Sequence, residues 1–400
     1  DLAILSLEES LKIDEKNKNT LINLAEVYTD KGNFEKAENY YLLVLDLEKN
    51  NYSIIYKLIK LKKKYLNQEL VDNIKNNLRN INNTEEKIYA NLILAQNENN
   101  KKEFKNEIKI LNGAHSLYQN KKKIAAGEEW NYYTNLLPQF IKKCEKVEIN
   151  IQNQLEPIFI LGMPRSGTTL IENIITSGKE QIVTGGETNA LDSIFFSKKL
   201  IGSVKSQILS TDFNFEVKDF ELLSKNLIDH YDQLRLVNVH KSNTFIDKSI
   251  TNFLYIEIIK KIFPKAKFVY CSRNPFANIL GIYKVFLPHL FWSHSIEKIF
   301  MYYNLHVEKL NTEINKKNPN FKVISLEQLT NEPKKTSIDL FEFLDLEWTE
   351  DCINLKNNNI IKTASNIQVR KSIKKHNLDY LKNYYDIFKN IGENYDWFKS

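Results

Sequence analysis

The sequence predicts two fold classes in tandem, an α-helical repeat region followed by an α/β domain with three layers around a central parallel sheet. Three observations carry that prediction. Through residue 145 apolar positions recur at helical spacing, and Pro138 is the lone proline of that stretch. From Pro157 onward, short β-branched and aromatic runs alternate with helical stretches, the pattern of parallel strands covered on both faces. Between the first such run and its helix lies a glycine-bounded loop, Gly162–Thr169, of the kind that cradles phosphate.

The helical region is clearest over residues 18–51. Leu24, Ala25 and Tyr28 share one face of a first helix. Gly32 ends it, where a left-handed residue is needed. Phe34, Ala37, Tyr40 and Tyr41 begin a second helix, with Ala37 small where the two cross. This stretch resembles a tetratricopeptide repeat, and Leu11–Asp14 looks like the tail of an earlier one. Beyond Asn51 the pattern degrades, although 52–80 and 85–145 stay helical. Repeat arrays usually hold partner segments on a concave face and carry no chemistry. Each unit of an array contacts mainly its neighbours, so residues 1–80 are expected to be dispensable for ligand binding elsewhere. The expected division is 1–150 helical and 151–400 α/β.

Composition excludes several classes. With 42% apolar and 26% charged residues the chain is neither disordered nor fibrous. No run approaches the roughly 18 apolar residues of a membrane span. Cys144, Cys271 and Cys352 are far apart and lack zinc-site spacing, which favours a reducing, cytoplasmic setting. The seven histidines do not cluster, so no metal is expected. A net charge of +6 favours anionic ligands weakly and does not imply nucleic acid. Asp1 stands inside an apparent helix, so a preceding segment is expected.

In the second half, strands are expected at Ile158–Leu161, Gln181–Thr184, Thr244–Ile246, Lys267–Cys271 and Phe321–Ile324. Helices are expected at 168–178, 188–201, 217–235, 252–263, 275–286, 295–317 and 334–345. The loop spacing matches a nucleotide P-loop, but Thr168 stands where an ATPase needs lysine. Arg165 supplies a cation from inside the loop instead.

The loop Pro164-Arg165-Ser166-Gly167-Thr168-Thr169 resembles the 5′-phosphosulfate loop of sulfotransferases, especially the tyrosylprotein sulfotransferases and bacterial sulfotransferases with tetratricopeptide repeats. Further elements follow in that family's order. Gly186-Glu187-Thr188 resembles its Gly-Glu turn, Asp247-Lys248 its Asp-Lys segment and Arg273-Asn274-Pro275 its 3′-phosphate site. Leu326–Leu329 and Thr363–Arg370 resemble its late motifs. The resemblance implies sulfonate transfer from 3′-phosphoadenosine 5′-phosphosulfate (PAPS) to a hydroxyl on a peptide tyrosine, a carbohydrate or a small metabolite, leaving PAP. It makes Glu187 the general base, with Lys248 and Arg165 on the sulfonate and leaving phosphate. It places the donor on Arg165, Ser166, Gly167, Thr168, Thr169, Leu170, Arg273, Gly281, Ser365 and Lys371.

Three positions depart from the family. Gly281 replaces a serine, Leu326 a tyrosine, and Asn189 the arginine of the tyrosylprotein group. Lys284, Arg370 and Lys371 are candidate compensating cations. The alternative reading is a weak or inactive scaffold whose repeats bind a protein partner.

Overall fold

The computed structural model describes residues 2–149, 151, 153–180, 182–196, 216–237, 243–354, 373, 375 and 377–399. The first part is a run of helices: α1 (Leu2–Ile13), α2 (Lys18–Lys31), α3 (Phe34–Leu47), α4 (Tyr52–Leu61), α5 (Gln68–Asn77), α6 (Thr84–Asn100), α7 (Phe104–Lys121), α8 (Lys123–Asn131) and α9 (Leu137–Glu145). Their starts are set locally. Asn17, Asn33, Asn51, Asn67 and Asn83 each cap the next helix, the side-chain oxygen accepting a first-turn backbone N–H. Asn17 and Asn51 open helices one 34-residue interval apart, as do Asn33 and Asn67. The capping register therefore runs past Asn51, where the apolar pattern alone degrades. Gly32 closes α2 at φ 79°, a conformation that penalises a Cβ.

The second part is a parallel sheet ordered β2-β3-β1-β4-β5. Its strands are β1 (Ile158–Leu161), β2 (Val183–Thr184), β3 (Phe245–Asp247), β4 (Lys267–Ser272) and β5 (Phe321–Ser325). Helices α10 (Thr168–Thr176), α11 (Ala190–Phe196), α12 (Val217–Gln233), α13 (Ile256–Ile262), α14 (Pro275–Lys284), α15 (Ile296–Asn315), α16 (Leu326–Asn331) and α17 (Pro333–Leu344) lie between and after them. Strand period 2 sorts β1 onto both faces. Ile158 and Ile160 join Ile174, Ile175 and Phe341 on one side, while Phe159 and Leu161 join Phe263 and Phe268 on the other.

The second of those cores does not stop at residue 150. It runs from Tyr52, Ile55, Tyr56 and Ile59 through Val71, Ile74, α6 and α9 to the sheet, whereas α1–α3 form a separate cluster with Ile54 and Leu58. Buried polar links reinforce the junction. Glu107 pairs with Lys284 at 2.8 Å and accepts from Tyr384 at 2.6 Å. Hence residues 1–80 are not a detachable array. Deleting 1–80 should abolish cooperative thermal unfolding, because several core side chains worth ~2–5 kcal/mol each leave with it. Deleting 1–48 should leave a cooperative transition at lower temperature, as circular dichroism would show.

Candidate active site

Parallel sheets place ligands beyond the carboxyl ends of their strands. Here four charged residues follow four strand ends. Arg165 lies in the loop after β1, Glu187 after β2, Lys248 directly after β3 and Arg273 directly after β4.

The β1 loop is tightly built. Ser166 N–H donates to the Met163 carbonyl at 3.1 Å, and the first backbone bonds of α10 reach back to Gly167. Gly167 has φ 103°, and a Cβ there would meet Leu326 Cδ1 at 2.8 Å. Leu326 thus supports the loop by packing where the family pattern has a tyrosine. Arg165 itself is held at φ 69°, a strained conformation for a non-glycine residue. Its carbonyl accepts from Arg273 Nη1 at 2.6 Å, and the Pro164 carbonyl accepts from Asn278 at 2.8 Å. Burial and the neighbouring Arg273 bring the Arg165 guanidinium down to about 10. Burial likewise lowers Arg273. Two guanidiniums in a low-dielectric recess, beside a buried Ser166 Oγ that has no hydrogen-bond partner among the described residues, suit an anion with several acceptor oxygens.

Thr168 and Thr169 open α10, where its first amides point into the loop. The Leu170 side chain packs into the core on the Ile158 side of the sheet, leaving its backbone to the loop. Gly281 lies opposite. A Cβ there would stand 3.4 Å from Arg273 Nη1 and 3.6 Å from Arg165 Cβ, so the position faces the Arg273 guanidinium and the base of the Arg165 side chain. Ser365, Arg370 and Lys371 lie outside the described residues. Lys284 does not compensate Gly281. It is held away by Glu107 and by the Tyr384 hydroxyl at 2.8 Å.

Lys248 is almost fully buried, with its side chain 1% exposed. Its Nζ lies 3.0 Å from Glu187 Oε1 and 3.7 Å from Glu172 Oε2. Burial opposes the ammonium, but Glu172 and Glu187 outweigh it and raise Lys248 above its ordinary value. Sequence reasoning missed Glu172. Its signal was an acid inside the apolar run of α10, at a position that turns out buried. Glu172 also accepts from the Thr184 hydroxyl at 2.5 Å, and that hydroxyl accepts from Gly186 N–H at 3.0 Å. One carboxylate therefore braces Lys248 and the turn carrying Glu187.

Asp247 braces the same pair from below. It accepts from Thr188, Tyr231, Ser249 and Asn252 at 2.6–2.9 Å. Glu187 keeps a side-chain exposure of 35% and so stays reachable from solvent. The described residues contain no group of three His, Cys, Asp or Glu that could hold a metal. No helix among them is long and apolar enough to cross a membrane.

Residues 157–350 match the sulfotransferase family. A protein of Aquifex aeolicus (strain VF5) is 28% identical over 238 residues, 57% of this chain. The chain spans 30% of that relative's length. A Caenorhabditis briggsae protein, by name a candidate protein-tyrosine sulfotransferase, is 24% identical over 209 residues, covering 51% of this chain and 70% of its own. Among solved structures, the sulfotransferase domain of the Synechococcus PCC 7002 olefin synthase aligns over 63% of this chain and 99% of its own, with 17% identity and a TM-score of 0.40. The strand-end charges Arg165, Glu187, Lys248 and Arg273 lie within the stretch, residues 157–350, that matches the sulfotransferase family.

Proposed function

We propose that the protein is a PAPS-dependent sulfotransferase that sulfates a hydroxyl group, with Glu187 as general base. The observation that carries this reading is the convergence of Arg165, Glu187, Lys248 and Arg273 at adjacent strand ends. The β1 loop, Thr168 and Thr169 suit the 5′-phosphate, and Arg273 suits the 3′-phosphate through its planar fork. PAPS supplies the activated sulfonate.

What the chain's own residues do follows from positioning and charge. Glu187 accepts from Lys248 Nζ at 3.0 Å and is partly exposed. An acceptor hydroxyl entering there meets a carboxylate able to take its proton. Lys248, still held by Glu172, then turns its charge to the oxygens that become more negative as the sulfonate leaves phosphate. Arg165 neutralises the leaving phosphate. Asn189, in place of the arginine of the tyrosylprotein group, argues for an acceptor other than that group's own. We assign to the helical half the docking of a peptide or protein carrying the acceptor, and to the protein a cytoplasmic setting.

Donor identity is tested by calorimetric or fluorescence melting. PAP at ~100 times its Kd should stabilise the protein by about 2.7 kcal/mol, and ADP, lacking the second phosphate site, much less. Equal shifts from PAP, ADP and ATP would overturn the assignment. At Gly281, the space beside Arg273 and Arg165 accepts a Cβ at ordinary contact distance. The substitution Gly281→Ser should therefore tighten PAP about tenfold, since a hydrogen bond to a charged group contributes ~1.5–3 kcal/mol. Weaker binding in a folded variant would show the space already filled.

A further inference from the structure

Past the last paired residues of β2 and β3, two segments leave the sheet. One carries Glu187 into α11, and the other carries Lys248 into a 3-10 turn, Asn252–Tyr255. A row of cross-links holds them together. Lys248 N–H donates to the Gly186 carbonyl at 2.8 Å. Thr188 donates to Asp247 at 2.6 Å, and Asn189 N–H donates to Ser249 Oγ at 2.8 Å. The outermost link runs the other way. Thr251 Oγ1, on the lysine segment, donates at 2.6 Å to Asp192 Oδ2, in the first turn of α11. Each segment thus lends a carboxylate to a threonine of the other.

Asp192 is also where the helical half reaches in. Between α8 and α9 the backbone makes a π turn, Tyr132–Leu136, a rare geometry. Tyr133 donates to Asp192 Oδ2 at 3.4 Å, and Tyr255 donates to Oδ1 at 2.5 Å. With its own proton committed to Asp192, Tyr255 accepts from Tyr132 at 2.8 Å. The carboxyl is buried, and these partners are three hydroxyls rather than a cation. A buried carboxylate without a counter-charge is costly, and an apolar side chain would hold α11 down at lower cost. What the carboxyl adds is direction, because its hydrogen bonds fix the start of α11 relative to Thr251.

We propose that Asp192 is a positioning residue for the Glu187–Lys248 pair. Through Thr251 it sets the spacing of the two segments. Through Tyr133, Tyr255 and Tyr132 it ties that spacing to the helical half. It acts through the backbone it holds and not on the reacting atoms. This rests on reading Glu187 as the base and Lys248 as the sulfonate contact. A misplacement of about 1 Å at such a pair costs up to about a hundredfold in rate.

The test is Thr251→Val in the full chain, which removes the hydroxyl and keeps the branched shape. Turnover is measured with PAPS and the best acceptor from a screen of phenols, sugars and small alcohols. The kcat should fall about tenfold, while KM for PAPS and calorimetric PAP affinity stay within about twofold. Thr251→Ser, which restores the donor, should recover most of the turnover. In Asp192→Asn/Thr251→Val the loss should be smaller than the product of the single losses, since both variants cut one link. A threonine that merely packs would lower the Tm and leave kcat near native at temperatures well below it. That result, no recovery in Thr251→Ser, or losses that multiply in the double variant, would overturn the role of Asp192. Should Thr251→Val unfold, Thr251→Ala carries the same expectations. A full chain that transfers sulfonate to none of the acceptors, or near-native turnover in Glu187→Gln, would instead overturn the reading of the pair itself.

Discussion

Replacing Glu187 by glutamine should lower turnover about 10²–10⁴-fold, the range expected for loss of a positioned general base. Size and hydrogen-bonding reach are kept, and the side chain is 35% exposed, so the fold should be undisturbed. Lys248 retains Glu172 as a partner, which keeps its charge in place. PAP affinity should therefore barely change, and the loss should fall on turnover with the best acceptor from a screen of phenols, sugars and small alcohols. A variant with near-native turnover would mean that Glu187 serves only the start of α11.

Lys248→Met should damage both catalysis and folding. Removing one member of a buried ion pair typically costs ~3–5 kcal/mol, because the remaining charge is stranded. Glu172 would be that stranded charge, its side chain 10% exposed and facing a thioether. The Tm should fall by roughly 2–4 °C for each kcal/mol lost. The two effects separate in Lys248→Met/Glu172→Gln. Neutralising both partners should recover most of the stability and none of the turnover. Recovery of turnover in the double variant would remove Lys248 from the chemistry and leave it a packing role.

Much of this architecture is legible from local pattern. The strands at Ile158–Leu161 and Phe321 onward follow from short β-branched runs. Gly32 at φ 79° stands where a helix had to stop. The helix expected at 252–263 begins instead as a 3-10 turn, Asn252–Tyr255, because Asn252 is tied back to Asp247 at 2.9 Å. The regular Asn caps were present in the sequence but pass unnoticed among many surface asparagines, since a cap is recognisable only once the helix it starts is known.

By itself the sequence determined the alternation of elements, the glycine-bounded loop after β1 and the order of Arg165, Glu187, Lys248 and Arg273, each after a strand. These depend on backbone preferences and side-chain period over a few residues, so they can be read in a short window. Tertiary structure alone decided which charges meet. Glu172, Thr184 and Lys248 come together because α10, β2 and β3 converge at one end of a sheet ordered β2-β3-β1-β4-β5. Tyr56 and Ile59 of α4 share one apolar core with Phe159 and Leu161 of β1, across the expected boundary at residue 150. Electrostatic partnership depends on distance in space and on exclusion of water, and neither is encoded by spacing along the chain.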